Sequence, residues 1–459
     1  MASNKLKTYQ AFCQNSSTGM TRTLIKETPN KIGEPITAKG WINTVRSHGK
    51  VVFFDLRDRS GILQVVLTPE MALNYKEEDI VAIKGNVKER PSKMVNAELE
   101  TGKIELEATK VELISKSQNL PFALKDTPEL SLPVLLDYRP LTLRAESVKA
   151  ILKVGETVID EFRKTLKSLD FFEFQSPAIV PTATEGGSEI FKINYYDTSA
   201  FLAQSPQFYK QIMAGAFERA FTITKVYRAE PSVTTRHLSE YISLDGEMSF
   251  IDSWTDIMDT CEIIIKNIFK KVKESCANEL LLLKASIPQI ENTIPRIKMR
   301  EAQNIILERT KRDNTKEPDL TPEDEKEICQ WAKETHNSEL VFITHYPTKK
   351  RPFYTMPDPD DPDYTLSFDI LCRGLELTTG GQRINNYDQL VENIKKWGNK
   401  PEQFEFYLQA FKYGMPQEGG FAFGAERIVK QILGLENLRE ASAFPRDMGR
   451  IDGRIANNQ

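Results

Sequence analysis

The sequence predicts an α+β protein in which an N-terminal β-barrel precedes a larger domain of antiparallel sheet flanked by helices. Three stretches carry that prediction. Between Ile36 and Ser115, β-branched and aromatic runs recur with Gly, Pro and Asn turns between them. From Leu141 to Ser168, Val148, Ile151, Leu152, Val158, Ile159, Phe162 and Leu166 follow the spacing of one helix face. From Phe221 to Phe250, two apolar arms enclose a charged interval, which reads as a strand pair around a functional loop.

Composition narrows the class. The chain has 459 residues, 40% apolar and 27% charged, enough for two or three domains with a sizeable core. The N-terminal segment has no continuous apolar run of the kind a secretory signal needs, and no later stretch is long enough to span a bilayer, so a cytosolic, cytoplasmic protein is expected. Cys13, Cys261, Cys276, Cys329 and Cys372 lack C-x-x-C spacing and the histidines do not cluster with them, which argues against a disulfide framework or a zinc site. The net charge of −4 gives no global pull toward nucleic acid. Locally the bias reverses: Lys5, Lys7, Arg22, Lys26, Lys31, Lys39, Arg46 and Lys50 face only Glu27 and Glu34 ahead of Phe53.

Residues 1–33 read as an N-terminal extension. Residues 34–115 contain ITAKGWINTVRS, KVVFFDLRDRSGILQVVL, DIVAIKGNVKER and KIELEATKVELIS, short strands that suit a small Greek-key barrel of the OB-fold type. Such barrels bind single strands by stacking bases on aromatic side chains. Residues 116–140, with Pro121, Pro128, Pro133 and Pro140, read as a linker passing over the surface. The second domain, 141–459, opens with the amphipathic helix and continues through FFEFQSP, an apolar strand ending at Pro177.

IVPTATEGGSEIF is Gly- and Thr-rich, as a mobile lid requires, and holds Glu185. AFLAQSPQFYKQI is a strand entering a helix that carries Gln207 and Lys210 on one face. Arg228, Glu230, Arg236, His237 and Glu240 crowd the interval between the central strands, too many charges for a simple hairpin tip. Residues 251–340 are helical, with a solvated acidic patch at TPEDEKE, and show no assignable chemistry. SFDILCRGLELTTGGQR reads as a strand with one wet face, formed by Asp369, Glu376, Thr379 and Arg383, where Gly380 and Gly381 let a ligand approach the backbone. EGGFAFGAERIVKQILGL is a glycine-rich strand followed by a helix.

The order of these phrases carries more than any one of them. YRAE, TRH, EY and DGEM resemble motif 2 of the class II aminoacyl-tRNA synthetases, and within that class the wording is similar to the aspartyl family. The helix, strand and proline up to Pro177 resemble motif 1, and EGGFAFGAER resembles motif 3. GW-x-N-x-x-R followed by FFDLRDRSGILQVV resembles the anticodon-binding barrel of the aspartyl, asparaginyl and lysyl enzymes. The interval 251–340 is too short for the inserted domain of bacterial aspartyl enzymes, so the catalytic part resembles the archaeal and eukaryotic pattern.

The resemblance implies an aspartate–tRNA ligase (aspartyl-tRNA synthetase) that uses ATP and Mg2+, works as a homodimer built on motif 1, and charges tRNA(Asp). L-aspartate would be held by Glu185, Gln207 and Asp245 at its ammonium and by Lys210 and Arg383 at its side-chain carboxylate. ATP would meet Arg228 at the α-phosphate, Glu230 at adenine N6, Tyr241 and Arg427 over the ring, and His237 at the phosphates. Glu376 and Thr379 would ligate the magnesium, with Asp369 an additional acidic contact. Asn43, Arg46, Phe53 and Gln64 would read the anticodon. The roles of Arg228, Arg427 and Glu376 are catalytic by alignment and charge neutralisation, since both reactants bring their own nucleophiles.

The nearest rival is an asparaginyl-tRNA synthetase, which shares the barrel and all three motifs. Lys210 and ELTTGGQR favour aspartate, because two cations facing a neutral amide would leave a buried charge unpaired. A non-catalytic paralogue acting as an RNA- or partner-binding protein would be expected to lose Arg228 or Arg427, and both are present. Ala422 stands where motif 3 commonly has glycine, and Asn43 differs from the Trp or His of many archaeal-type barrels. The latter leaves open whether tRNA(Asn) is charged as well.

Overall fold

The computed structural model describes residues 22–97, 99–182, 189–231 and 233–455. They form two compact units that divide between Ala123 and Leu124. Among the described residues no helix is long and apolar enough to cross a membrane.

The first unit is a closed five-stranded barrel of β1 (Pro35–His48), β2 (Val51–Asp58), β3 (Gly61–Leu67), β4 (Ile80–Glu89) and β5 (Ile104–Ser115) in the order β1-β2-β3-β5-β4. Strand alternation sends Phe54, Leu56, Leu63, Val65, Val81 and Ile83 inward, where all are fully buried. Ile25, on a 3₁₀ turn spanning Ile25–Lys31, is buried in the same cluster.

The second unit is built on an eight-stranded sheet. Its strands are β6 (Phe172–Glu173), β10 (Arg219–Tyr227), β11 (Glu240–Ser249), β12 (Arg296–Lys298), β13 (Leu340–Thr344), β14 (Ser367–Cys372), β15 (Leu375–Gln382) and β16 (Glu418–Gly424). The spatial order is β12-β13-β14-β15-β16-β11-β10-β6. The six central strands are antiparallel as expected, but the two edge strands β6 and β12 pair in parallel with β10 and β13. A separate three-stranded sheet joins β7 (Ile179–Val180), β8 (Lys192–Tyr195) and β9 (Thr198–Leu202). The Glu146–Ser168 and Thr255–Ser275 helices cover one face of the large sheet, burying Val154, Val158, Phe162, Ile264, Ile265 and Ile268 against Phe221, Leu244 and Phe423.

Several expectations need correction. The linker is partly helical: Leu132–Asp137 and Arg139–Thr142 each place a proline in the first turn, where its missing N–H costs nothing. FFEFQSP pairs through only Phe172 and Glu173, at the edge of the sheet. SFDILCRGLELTTGGQR is a hairpin rather than one strand, because Arg373 and Gly374 both adopt positive φ, 48° and 80°, and reverse the chain between β14 and β15. In TPEDEKE, Asp324 is buried: it closes a capping box with Thr321 and pairs with Arg312 at 3.1 Å, so one of these acids is structural. The stretch read as a lid begins as a paired strand instead, Ile179–Val180 of β7 against β9, while its centre, residues 183–188 with Glu185, lies outside the described residues, as do residues 1–21 of the N-terminal extension.

Candidate active site

On β11 the two-residue period puts Ser243, Asp245 and Glu247 on one face, all buried. Opposite them, Lys210 projects from the Gln207–Phe217 helix and is only 1% exposed. An ammonium so placed needs partners, since a buried unpaired charge costs several kcal/mol. Its Nζ donates to Asp245 Oδ1 (3.0 Å) and the Phe421 carbonyl (2.9 Å), and lies 3.3 Å from Glu247 Oε2. Arg383 reaches the same carboxylate from the end of β15, donating through Nε to Glu247 Oε1 at 2.8 Å. Lys210 and Arg383, separated by most of the domain in sequence, thus flank one carboxylate. Burial alone would raise the Glu247 carboxyl, but the two cations hold it below its ordinary range.

The room for this carboxylate comes from glycine. A Cβ on Gly420 of β16, paired with Glu247 in the ladder, would fall 1.9 Å from Glu247 Oε2. Gly420→Ala is therefore expected to push Glu247 off its cations, lowering the unfolding free energy by about 1–3 kcal/mol as overpacking does; urea denaturation reads the loss, and an unchanged midpoint would contradict the placement.

Above the network opens a cavity of about 400 Å³ whose wall carries five cationic side chains, Lys210, Arg228, Lys350, Arg351 and Arg383, and one carboxylate, Glu376. Such a wall favours an anionic ligand. Gln207 lines it too, its amide nitrogen donating to Gln211 Oε1 at 2.9 Å. Asp245, expected beside a substrate ammonium, accepts from Lys210 and from the Ser243 hydroxyl.

A second cavity, of about 230 Å³, shares Arg228, Tyr241, Ser243, Glu376, Thr379 and Ala422 with the first, so the two form adjoining chambers. Glu230, Arg236, His237, Glu426 and Arg427 complete its polar lining. The Arg228 guanidinium lies 5.9 Å from the Tyr241 ring centroid. Arg427 donates to the Glu376 carbonyl at 2.9 Å and pairs with the Glu376 carboxylate at 3.4 Å. Burial works to raise the Glu376 carboxyl, yet Arg427 and Arg351 outweigh it and keep it ionised. Thr379 Oγ1 donates to Glu376 Oε1 at 3.0 Å, which leaves a pair of hard oxygens side by side on β15. Asp369, the register partner of Thr379, is buried and accepts from Arg351 at 2.8 Å; burial pushes its carboxyl up to about 6. His237 bonds Thr234 Oγ1 through Nδ1 (2.7 Å), and burial lowers its pKa.

The segment to which sequence assigned no chemistry supplies a member. Glu325, on the Pro322–His336 helix, pairs with Arg236 of the charged loop. Burial lifts its carboxyl to about 7 in spite of that arginine. Glu426, at the start of the Ala425–Leu433 helix, accepts from the Ile242 amide and is likewise raised to about 7 by burial. Between pH 4.5 and 7 the folded protein therefore keeps protons that the unfolded chain releases, so the stability these groups contribute at low pH is lost as pH rises through that window. Glu426→Gln, whose amide oxygen can still accept from Ile242, should remove roughly 3 kcal/mol of that fall. Urea midpoints at pH 5 and pH 8 measure it; an equal drop in wild type and variant would contradict it.

In the barrel, Phe53 is half-buried on the outer face while its neighbour Phe54 fills the core. Arg46 pairs across the ladder with Phe53 and holds Asp55 through both carboxylate oxygens, 2.5 and 2.8 Å. It also donates to Gln64 Oε1 at 3.3 Å, and Gln64 donates to Glu105 at 2.9 Å. Asn43 sits at a β-bulge between Ile42 and Thr44 and accepts from Arg57. All four residues thus lie on one surface of β1, β2 and β3, an aromatic platform set among polar groups.

Sequence reading missed Glu247, Glu325, Arg351 and Glu426. Glu247 left a signal, standing two residues beyond Asp245 and so on the same face of the strand.

Comparison with known proteins agrees with this layout. Residues 131–448 match the family described as tRNA synthetases class II (D, K and N), and residues 36–114 match the OB-fold nucleic acid binding domain. The chain is 40% identical over 439 residues to the aspartate–tRNA(Asp/Asn) ligase of Thermus thermophilus, covering 94% of this chain and 99% of that one. It is 37% identical over 429 residues to the aspartate–tRNA(Asp) ligase of Pyrococcus abyssi, covering 91% and 96%. Among solved structures, asparaginyl-tRNA synthetase from Pyrococcus horikoshii complexed with asparaginyl-adenylate superposes with a TM-score of 0.86 at 30% identity, covering 95% of this chain and all of that one. Aspartyl tRNA synthetase from Entamoeba histolytica gives 0.83 at 27%, covering 96% and 94%.

Proposed function

The chain belongs to the class II tRNA synthetases of the D, K and N kind, and from that premise we propose that it is the aspartate–tRNA ligase of this group. Membership makes it a ligase that joins an amino acid to tRNA at the expense of ATP. The choice of aspartate rests on one observation, the convergence of Lys210 and Arg383 on a single buried point of a cation-walled cavity. A side-chain carboxylate suits a wall of five cations and one carboxylate better than a neutral amide does.

In the first step the α-carboxylate of aspartate attacks the α-phosphorus of ATP; a new P–O bond forms, the bond to pyrophosphate breaks, and aspartyl-adenylate results. In the second, the 3′-terminal adenosine hydroxyl of the tRNA attacks the aspartyl carbonyl and AMP leaves. The protein contributes position and charge. Arg228, shared by the two chambers, meets the α-phosphate where they join. Arg427 and Tyr241 hold the adenine, Glu230 accepts from its amino group, and Lys210 with Arg383 holds the substrate side chain. Glu376 and the Thr379 hydroxyl would hold a magnesium ion, two hard oxygens being an adequate protein share when phosphates and water supply the rest. When bound, such an ion neutralises charge on the ATP phosphates.

Dimer formation is proposed on the motif 1 resemblance and supported by the open edge at β6. There Phe172 and Phe217 stack at 4.2 Å while remaining 44% and 46% exposed.

Aspartate-dependent ATP–pyrophosphate exchange tests the first step, and charging of purified tRNA(Asp) and tRNA(Asn) tests the second and its tRNA range. Exchange driven better by asparagine than by aspartate would overturn the proposal. For the barrel, Phe53→Ala is expected to weaken tRNA by about 1–3 kcal/mol, the worth of one stacked base. That appears as a raised KM for tRNA with pyrophosphate exchange unchanged; a change in exchange would count against an anticodon role.

A further inference from the structure

We propose that Trp397, on the rim of the amino-acid chamber, is the platform on which the 3′-terminal adenine of tRNA stacks while the hydroxyl of the same nucleotide faces the aspartyl carbonyl. The inference rests on the reading of the chain as an aspartate–tRNA ligase and assigns the entry of its second substrate.

Trp397 caps the C-terminal end of the Tyr387–Lys396 helix. Its backbone N–H donates to the Asn393 carbonyl at 3.0 Å, and Gly398, at a φ of 76°, then turns the chain away. The helix buries Leu390 and Ile394 in one cluster with Phe353 and Tyr354, and the Asn393 side chain donates to the Phe353 carbonyl. These contacts fix the helix end beside the segment 350–355, and both line the cavity of about 400 Å³. Among the described residues that line it, Lys350 and Trp397 are the exposed ones, Trp397 at 38%. The other charged side chains of the wall lie further in: Lys210 and Arg383 are buried, and Arg228, Arg351 and Glu376 are half-buried. The chamber therefore has a charged interior and a rim of one aromatic ring and one cation.

An exposed tryptophan by itself means little. Its position on this rim carries the argument. The two other rings of the wall each hold an arginine, Tyr241 with Arg228 at 5.9 Å and Tyr354 with Arg383 at 5.4 Å, whereas Trp397 has no such cation among the described residues. Transfer demands a second adenosine. The chamber lined by Arg427 and Tyr241 is proposed for the adenine of the nucleotide, so the tRNA end comes to the aspartyl group from solvent, over the exposed rim of the neighbouring chamber. A flat apolar face takes a base and a lysine takes the phosphate before it, the combination that holds single strands elsewhere. Lys395, Lys396 and Lys400, against Glu392, keep residues 392–400 basic.

The test uses the full chain loaded with aspartyl-adenylate. Trp397→Ala should lower single-turnover transfer to subsaturating tRNA(Asp) by roughly 5- to 100-fold, the worth of one stacked base, and that loss should exceed any loss in pyrophosphate exchange by at least about fivefold. Trp397→Phe, which keeps a flat ring, should recover most of the transfer; Trp397→Leu, which keeps apolar bulk without a ring, should not. A tRNA(Asp) lacking its terminal adenosine, used as a competitive inhibitor, should bind wild type and Trp397→Ala alike, because the base that would stack is gone. Undiminished transfer in Trp397→Ala, an equal fall in exchange, recovery by leucine as full as by phenylalanine, or equal weakening of the truncated tRNA overturns the inference. Failure of the ligase reading is a separate result, a wild-type protein that neither exchanges with aspartate nor charges tRNA.

Discussion

Lys210→Ala is expected to lower kcat/KM for aspartate in pyrophosphate exchange by roughly 100- to 1,000-fold, the equivalent of about 3–5 kcal/mol for breaking a buried ion network. Lys210 meets both Asp245 and Glu247 through one cationic atom, at 3.0 and 3.3 Å, and it lines the cavity proposed for the substrate carboxylate. Its removal takes away an attraction for aspartate and leaves two acids facing the incoming anion with one cation fewer. ATP binding should survive, since the cavity proposed for the nucleotide is lined by other residues. Nucleotide binding and thermal unfolding measured on the same preparation separate this effect from collapse of the domain. Undiminished exchange in a folded variant would remove Lys210 from the specificity argument.

Arg228→Ala is expected to lower the rate of adenylate formation by about 10²- to 10³-fold, the usual consequence of deleting a group aimed at developing charge in a closed site. Arg228 lies on the wall of both chambers, half-buried against Tyr241, and its backbone N–H is tied to Ser239 at 2.9 Å, so the loop holds its shape without the side chain. The loss should fall on kcat in single-turnover adenylation while the KM for aspartate changes little. A loss confined to the KM for ATP would assign Arg228 to ground-state binding instead.

These expectations join residues whose placement was legible to different degrees. Arg228, Glu376, Arg383 and Arg427 could be read because each stands in a short phrase that must keep its order along the chain, and local periodicity then settles which face of a strand or helix they occupy. The glycines of EGGFAFG were equally readable as places of close approach, but not what approaches: Gly420 makes space for Glu247, a strand away. The Arg373–Gly374 turn escaped notice because an arginine at positive φ has no local signature, and one strand was read where a hairpin exists. Phe53 could be suspected of facing outward from strand alternation alone, but its company of Arg46, Asp55 and Gln64 comes from three strands in register.

By itself, then, the sequence determined the two-part α+β architecture, the succession of motifs and the identity of most polar side chains that line the two cavities. These depend on side chains a few residues apart, where backbone geometry dictates relative position. Only the tertiary structure decided which charges meet: Glu247 with Arg383 across 136 residues, Gln211 with Glu418 across 207, Arg236 with Glu325 across 89. Whether a carboxyl in such a cluster is ionised depends on how deeply it is buried and which cation reaches it first, and neither quantity exists until the chain has folded.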